Sequence, residues 1–456
     1  MTKKSAYYKK MKNRMVIIVG FLLLPILSFA QQNMLKLNLS LAQARALAVE
    51  KNPKIAAGEL DAKINKEIIA EARLKRIPQV YADANLQNNL IIPVTPVPAN
   101  AFNPNAPDGL LMPLKFTTRW TSNTGLNANI DLFNSPKKQN LKEALIKEKI
   151  TKLQNENEAN LTSFEVGNAY LATLIAAEQL RLAALDTLTK SKILKISQQQ
   201  FDEGRLLLTT LNQLKADRNN TLNNFDEATK IYIDSKAKLL YTMGFPPEDD
   251  IDIEFSDNLE SLFKSYQIKA ETESATSISL NQLKQNETLL NTQITSTVKG
   301  YLPTLTLKAY YGANYFDNNF DILKSSNWNG NSFVNLGLKL PITEGLDRQK
   351  KIKQLQLQKQ ANLLRYQDER NKNKLDYLAA LREAAVLEKN YLRVQENFRL
   401  AEKNLDLAEQ QFSNGRILIT ELQQIAYNYQ KEKNNYLNMA YNYILAKLTA
   451  EKINKY

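Results

Sequence analysis

The hydrophobic positions of the chain change period several times, and the changes come in the same order twice. From Leu39 to Ile77 they recur every three or four residues (Leu41, Ala44, Leu47, Ala48, Ile55), with Ser40 as an N-cap and Pro53 as a kink. Pro78 ends that helix, because the proline ring clashes with the preceding turn. The period then becomes two: Val80, Ala82, Ala84 and Leu86 alternate with Tyr81, Asp83, Asn85 and Gln87. A loop follows with prolines at 93, 96, 98, 104, 107 and 113. Beyond it Phe116, Trp120, Leu126, Ala128, Ile130 and Leu132 are opposed by Arg119, Asn123, Asn127, Asn129 and Asp131. Strands with one apolar and one polar face suit either a half-buried sheet or a membrane barrel. From Pro136 to about Gln200 the pattern is helical throughout. At 1.5 Å per residue these roughly 65 residues extend about 100 Å, which implies coiled-coil support.

That helix is predicted to turn at Gly204. The stretch Gln199–Leu214, QQFDEGRLLLTTLNQL, returns at Gln410–Ile425 as QQFSNGRILITELQQI, with nine of sixteen positions identical and three more exchanging Leu for Ile. Gly204 and Gly415 sit where a helix ends and reverses, and glycine takes φ > 0 without steric penalty. The helix after Gly204 stops at Gly244-Phe245-Pro246-Pro247. It is too short to pair with the whole of its partner, so two short helices are expected to share each long one. The programme then repeats, with Leu302-Pro303 matching Ile77-Pro78, a strand over Leu305–Ala313, another over Val334–Ile342, and a helical hairpin turning at Gly415.

The predicted organisation is a signal peptide over 1–30, a first repeat over 31–244, a linker over 245–275 and a second repeat over 276–456. Each repeat holds a β-hairpin (about 79–133 and about 303–342) and a helical hairpin (about 136–244 and about 345–453). The fold class is mixed α and β, mainly α, in two tandem strand–strand–long-helical-hairpin units.

Composition narrows the chemistry. The chain has no Cys and no His. Disulfides, thiolate or imidazole metal sites and the commonest catalytic bases are therefore excluded, and no catalytic, cofactor-binding or metal site is expected. Lys3, Lys4, Lys9, Lys10, Lys12 and Arg14 supply six of the net +13 charges and precede the apolar run Met15–Leu27 and Ser28-Phe29-Ala30. This reads as a secretory signal cleaved between Ala30 and Gln31. The remaining basic excess, spread over long helices, points to solvated faces and to no nucleic-acid partner.

One copy offers four strands, which cannot close a barrel, and an open edge in lipid leaves backbone groups unsatisfied. Several copies must therefore pool strands; two give a tight, filled barrel and three a hollow one. At this point the chain resembles the TolC-like outer-membrane efflux proteins, through the signal segment, the tandem repeat, Pro78 and Pro303 at the strand entries, and the two Gly-Arg turns. The resemblance implies a homotrimer in the outer membrane with a twelve-stranded β-barrel, a long periplasmic α-helical barrel and an equatorial region from 245–275, 31–38 and the short C-terminal tail. It also implies passive conduction for an efflux or type I secretion system, with a periplasmic adaptor and an inner-membrane pump as partners. The adaptor would contact Gly204, Arg205, Leu206, Leu207 and Thr209, with Gly415, Arg416, Ile417, Leu418 and Thr420. Family members often place an Asp six residues after the turn glycine, at a periplasmic constriction. The matching positions are Thr210 and Glu421, with Gln213 and Gln424 as weaker candidates. Phe116, Trp120, Tyr310, Tyr311, Tyr315 and Trp328 are candidates for aromatic girdles. The alternative is an exported coiled-coil scaffold without a pore.

Overall fold

The computed structural model describes residues 35–246, 251–265, 277–342 and 345–455. The expected signal segment, the Ala30–Gln31 junction and parts of the 245–275 linker lie outside them. In chain order the elements are β1 (Leu35–Leu39), α1 (Leu41–Lys51), α2 (Pro53–Leu74), β2 (Gln79–Asn88), β3 (Thr95–Pro98), β4 (Leu111–Leu114), β5 (Trp120–Phe133) and α3 (Ser135–Asp202). There follow α4 (Leu208–Met243), β6 (Ile251–Phe255), α5 (Leu259–Ser265), α6 (Ile278–Lys299), β7 (Thr304–Asp317), β8 (Trp328–Lys339), α7 (Gly345–Ser413) and α8 (Ile419–Lys455). The duplicated order expected from the periodicity is present, with long helices of 68 and 69 residues. Three details differ. Pro53 breaks the first helix outright, because Asn52 is extended (ψ 123°) ahead of a proline. The proline-rich loop folds into a small hairpin of its own, β3 with β4. The linker holds a strand: β6 pairs in parallel with β1, from Leu35↔Ile251 to Leu39↔Phe255.

The chain divides into two compact units. One comprises the described residues within Met1–Pro53, Leu161–Ala270 and Ala380–Glu451. Its core gathers Leu39, Ala44, Val166, Tyr170, Leu239, Met243, Leu437 and Ile444, all essentially buried. Asp257 organises the start of α1, where its Oδ2 accepts from the Leu41 N–H at 2.7 Å and from the Tyr170 hydroxyl at 3.0 Å, while the same hydroxyl lies 3.0 Å from the Leu39 carbonyl. Ser40 and Gln43 complete a capping box on that helix, as its N-cap sequence predicts. At the far end of α4, Gly244 takes φ +93°, and a Cβ there would come within 2.6 Å of the Lys51 carbonyl oxygen. Only glycine fits that closure. Along the α7–α8 seam the packing is aromatic, with Phe398 stacked on Tyr436 at 5.1 Å, and α5 adds Phe263, stacked on Tyr391 of α7 at 4.4 Å.

The other unit comprises the described residues within Lys54–Asn160, Glu271–Ala379 and Lys452–Tyr456. There α2 lies beside the start of α3, through Lys54–Glu158 and the Asn65 amide on Thr151. In the second repeat α6 lies equivalently beside α7, through Asn362 on the Leu283 carbonyl and Lys359–Glu287. The sheet is antiparallel in the order β2-β5-β7-β8. Its register sorts side chains into alternating rows. Val80, Ala128, Ala309 and Val334 form one row, and Ala82, Leu126, Tyr311 and Ser332 the next on the same face. Between them, on the opposite face, runs Tyr81, Asn127, Tyr310 and Phe333, and the next row on that face is Asp83, Gly125, Gly312 and Asn331. The apolar face is open, with Val334 at 73 % and Tyr311 at 75 % exposure. Among the described residues β2 and β8 have no further strand beside them, and no helix is long and apolar enough to cross a membrane.

The expected aromatic girdle is only partly present. Trp120, Tyr315 and Trp328 gather at one end of the sheet, where Trp120 meets Phe320 at 4.5 Å and Tyr315 meets Trp328 at 5.3 Å. Tyr310 belongs instead to the polar face, with its ring over Gly125 and its hydroxyl donating to Asn123 Oδ1 at 2.6 Å. Tyr311 sits mid-strand, and Phe116 precedes β5.

Candidate functional site at the hairpin tips

The two turns that share a sequence share a geometry. Gly204 has φ +73° and Gly415 φ +71°. In each, the glycine N–H bonds the carbonyl three residues back (Phe201, Phe412) at 2.9 Å. The following arginine N–H bonds the carbonyl five residues back (Gln200, Gln411) at 2.8 Å. The left-handed glycine thus satisfies carbonyls at the end of α3 and of α7 while reversing the chain.

The two tips meet in one small apolar cluster. Ile193 from α3, Leu214 from α4, Ala408 and Phe412 from α7, and Leu422 from α8 are buried together, with Leu206 and Ile417 packed against them. Those two candidate contact residues therefore serve the turn's own packing. The next residues do not: Leu207 and Leu418 are each 74 % exposed, at equivalent positions of the two repeats. Thr209 and Thr420 are exposed as well. Arg205 stands exposed but pairs with Glu203 in its own turn, whereas Asn414 takes the place of that acid before Arg416. Leu207 is also the N-cap of α4 and makes no side-chain hydrogen bond there. The N–H groups of Leu208, Thr209 and Thr210 precede the first helical bond, which runs from Leu211 to the Leu207 carbonyl.

Of the constriction candidates, Glu421 is exposed in the first turn of α8 and Thr210 is half-buried. Gln213 and Gln424 are exposed and donate along their own helices, to Asp217 at 3.2 Å and to Asn428 at 3.5 Å.

Polar contacts also join the two hairpins. Asp217 also accepts from Gln423 at 3.1 Å, and the Gln200 amide donates to the Ser413 carbonyl at 3.2 Å. Higher up, Asp186 on α3 takes Lys433 at 2.7 Å and Gln430 at 2.9 Å from α8. Lys433 is almost fully buried and lies beside the Tyr429 ring. Lys190 faces Glu409 at 3.9 Å, and burial pushes the Glu409 carboxyl above its ordinary range despite that lysine. The sequence carried a signal for Lys433: it falls on the buried stripe Leu422, Tyr429, Leu437, Ala440, Ile444, where a charge needs a partner. Among the described residues no acidic cluster is arranged to hold a metal ion.

Three solved structures share this architecture. The Campylobacter jejuni CmeC outer membrane channel aligns over 91 % of this chain and 85 % of its own, with TM-score 0.69 and 14 % identity. CusC, a protein described through its folding and transmembrane channel formation, aligns over 94 % and 95 % with TM-score 0.71 and 14 % identity. The Neisseria gonorrhoeae MtrE outer membrane channel aligns over 91 % and 88 % with TM-score 0.68 and 16 % identity. No family model and no curated protein matches the sequence. The chain has the fold of the TolC-like outer-membrane channels.

Proposed function

We propose that this protein is the outer-membrane duct of a tripartite efflux or type I secretion system, assembled as a homotrimer. The observation that carries the reading is a four-stranded sheet with two open edges and opposite faces of opposite character, on a chain that also builds two matched helical hairpins. Three copies would supply twelve strands, apolar face to lipid and Asn-rich face to the bore, leaving no unpaired edge in the bilayer. The long helices, about 100 Å each at 1.5 Å per residue, would carry the bore into the periplasm.

Transport through such a tube requires no bond chemistry in the chain; partners supply energy. The tips are where a periplasmic adaptor would land. Leu207 and Leu418 offer apolar knobs, Arg205 and Arg416 offer charge, and the uncapped start of α4 offers free N–H donors. Three Glu421 side chains around the bore would impose a negative field on whatever passes.

The test is reconstitution. Detergent-extracted protein should have the mass of three chains and give discrete conductance steps in a planar lipid bilayer. A monomeric protein that leaves the membrane fraction on carbonate washing would overturn the reading.

A further inference from the structure

The segment joining β2 to β5 is unlike an ordinary surface connection. Across residues 89–118 only Asp108 and Lys115 carry charge. The segment nevertheless exposes large apolar side chains: Leu90 at 86 %, Ile91 at 89 %, Phe102 at 62 % and Phe116 at 68 %. Isolated exposed apolar residues need no explanation, but this density on an exported surface does.

We propose that this segment lies on the outer leaflet of the membrane as an apolar apron around the barrel mouth, with lipid as its occupant. The proposal rests on the reading of the sheet as bilayer-spanning.

Three observations select lipid. First, the apolar surface is continuous with the face assigned to the bilayer. Val80, Ala82, Ala84 and Leu86 on β2 lead into Leu90 and Ile91 immediately past the strand. At that same end stand Trp120, Tyr315 and Trp328, residue types suited to a boundary with one apolar and one wet side. The neighbouring β7–β8 connection adds Leu323 at 93 % exposure, held near the ring set by the Trp328 indole N–H on the Ile322 carbonyl at 2.9 Å. Second, the hairpin inside the segment is a poor template for another protein's strand. Pro96 and Pro98 in β3 and Pro113 in β4 have no N–H to offer, and Pro96 stands directly opposite Pro113. Third, two charges of opposite sign leave nothing to steer or orient a polar partner. An apolar surface with a blocked backbone edge and no net charge suits an acyl layer, where contact needs neither register nor ion pairs.

The absence of cysteine makes a direct test simple. Single variants Ile91→Cys, Phe102→Cys and, on the apolar face of β8, Leu336→Cys are each spin-labelled and reconstituted into phosphatidylcholine vesicles. Accessibility to oxygen, which concentrates in lipid, is compared with accessibility to a water-soluble nickel chelate. Labels at 91 and 102 should favour oxygen severalfold, as the label at 336 does. Replacing half the lipid with phosphatidylglycerol should leave those ratios unchanged. A label at 336 in lipid with labels at 91 and 102 open to the nickel chelate would overturn the apron and leave the duct intact. Labels at 91 and 102 shielded from both agents and broadened by neighbouring spins would overturn it in favour of contact between copies. Water at all three positions would overturn the bilayer-spanning sheet, and the apron with it.

Discussion

Glycines 204 and 244 both have positive φ, but different neighbours set what each tolerates. A Cβ at Gly204 would meet nothing within 4 Å, so Gly204→Ala adds only the strain of a left-handed alanine, about 1 kcal/mol. Gly244→Ala adds the same strain and drives a Cβ into the Lys51 carbonyl, with a combined cost of about 3 kcal/mol. Thermal unfolding of the extracted protein should show a small shift for the first and a large one for the second. Glu409 gives a test of sign. Its folded-state pKa is raised by burial, so the native state holds its proton more tightly than the unfolded chain, and stability falls as pH rises through the folded value. Glu409→Gln should therefore raise the melting temperature at pH 7–8. The gain should shrink towards zero as the pH falls below the ordinary glutamate range. The turn glycines were legible in the sequence because their requirement is local. Asp186, Asp217 and Glu409 were not, because what faces each is set by helices far away in the chain.

Among the elements, legibility followed length. The long helices and the long sheet strands are legible over ten or more residues of steady period, and Pro78 and Pro303 mark the strand entries. The β1–β6 pair escaped notice: five-residue runs such as Leu35–Leu39 and Ile251–Phe255 alternate too briefly to stand out, and their partners are more than 200 residues apart. The proline-rich loop concealed a hairpin because its prolines weaken any strand assignment. The equal lengths of α3 and α7 do have a structural reason, since the tips must meet at Ile193, Leu214, Phe412 and Leu422. Deleting seven residues from α7 and seven from α8 would withdraw that tip by about 10 Å. The lone Gly204 turn should then become sensitive to limited proteolysis near Leu207. Matching deletions in α3 and α4 as well should restore resistance.

At the scale of the assembly, the first repeat carries Thr210 where the second carries Glu421, so three copies would bring one ring of carboxylates to the bore and not two. Reversal potentials across a planar bilayer under a salt gradient should show a preference for cations. Glu421→Gln should weaken that preference and Glu421→Lys should invert it, while Thr210→Val should leave it in place. The number of copies, unlike the number of strands, follows from no single residue; in a bilayer, four strands with two open edges would require partners without counting them.

The apolar cap at Leu207 has a consequence in time as well as in shape. Helix α4 starts without the side-chain oxygen that would hold its first turn closed, so the backbone amides of residues 208–210 exchange with solvent deuterium long before those deeper in the hairpin. Breathing is concentrated at the tip of the hairpin. A docking protein that offers acceptors there would quench it, and the loss of exchange would time the docking.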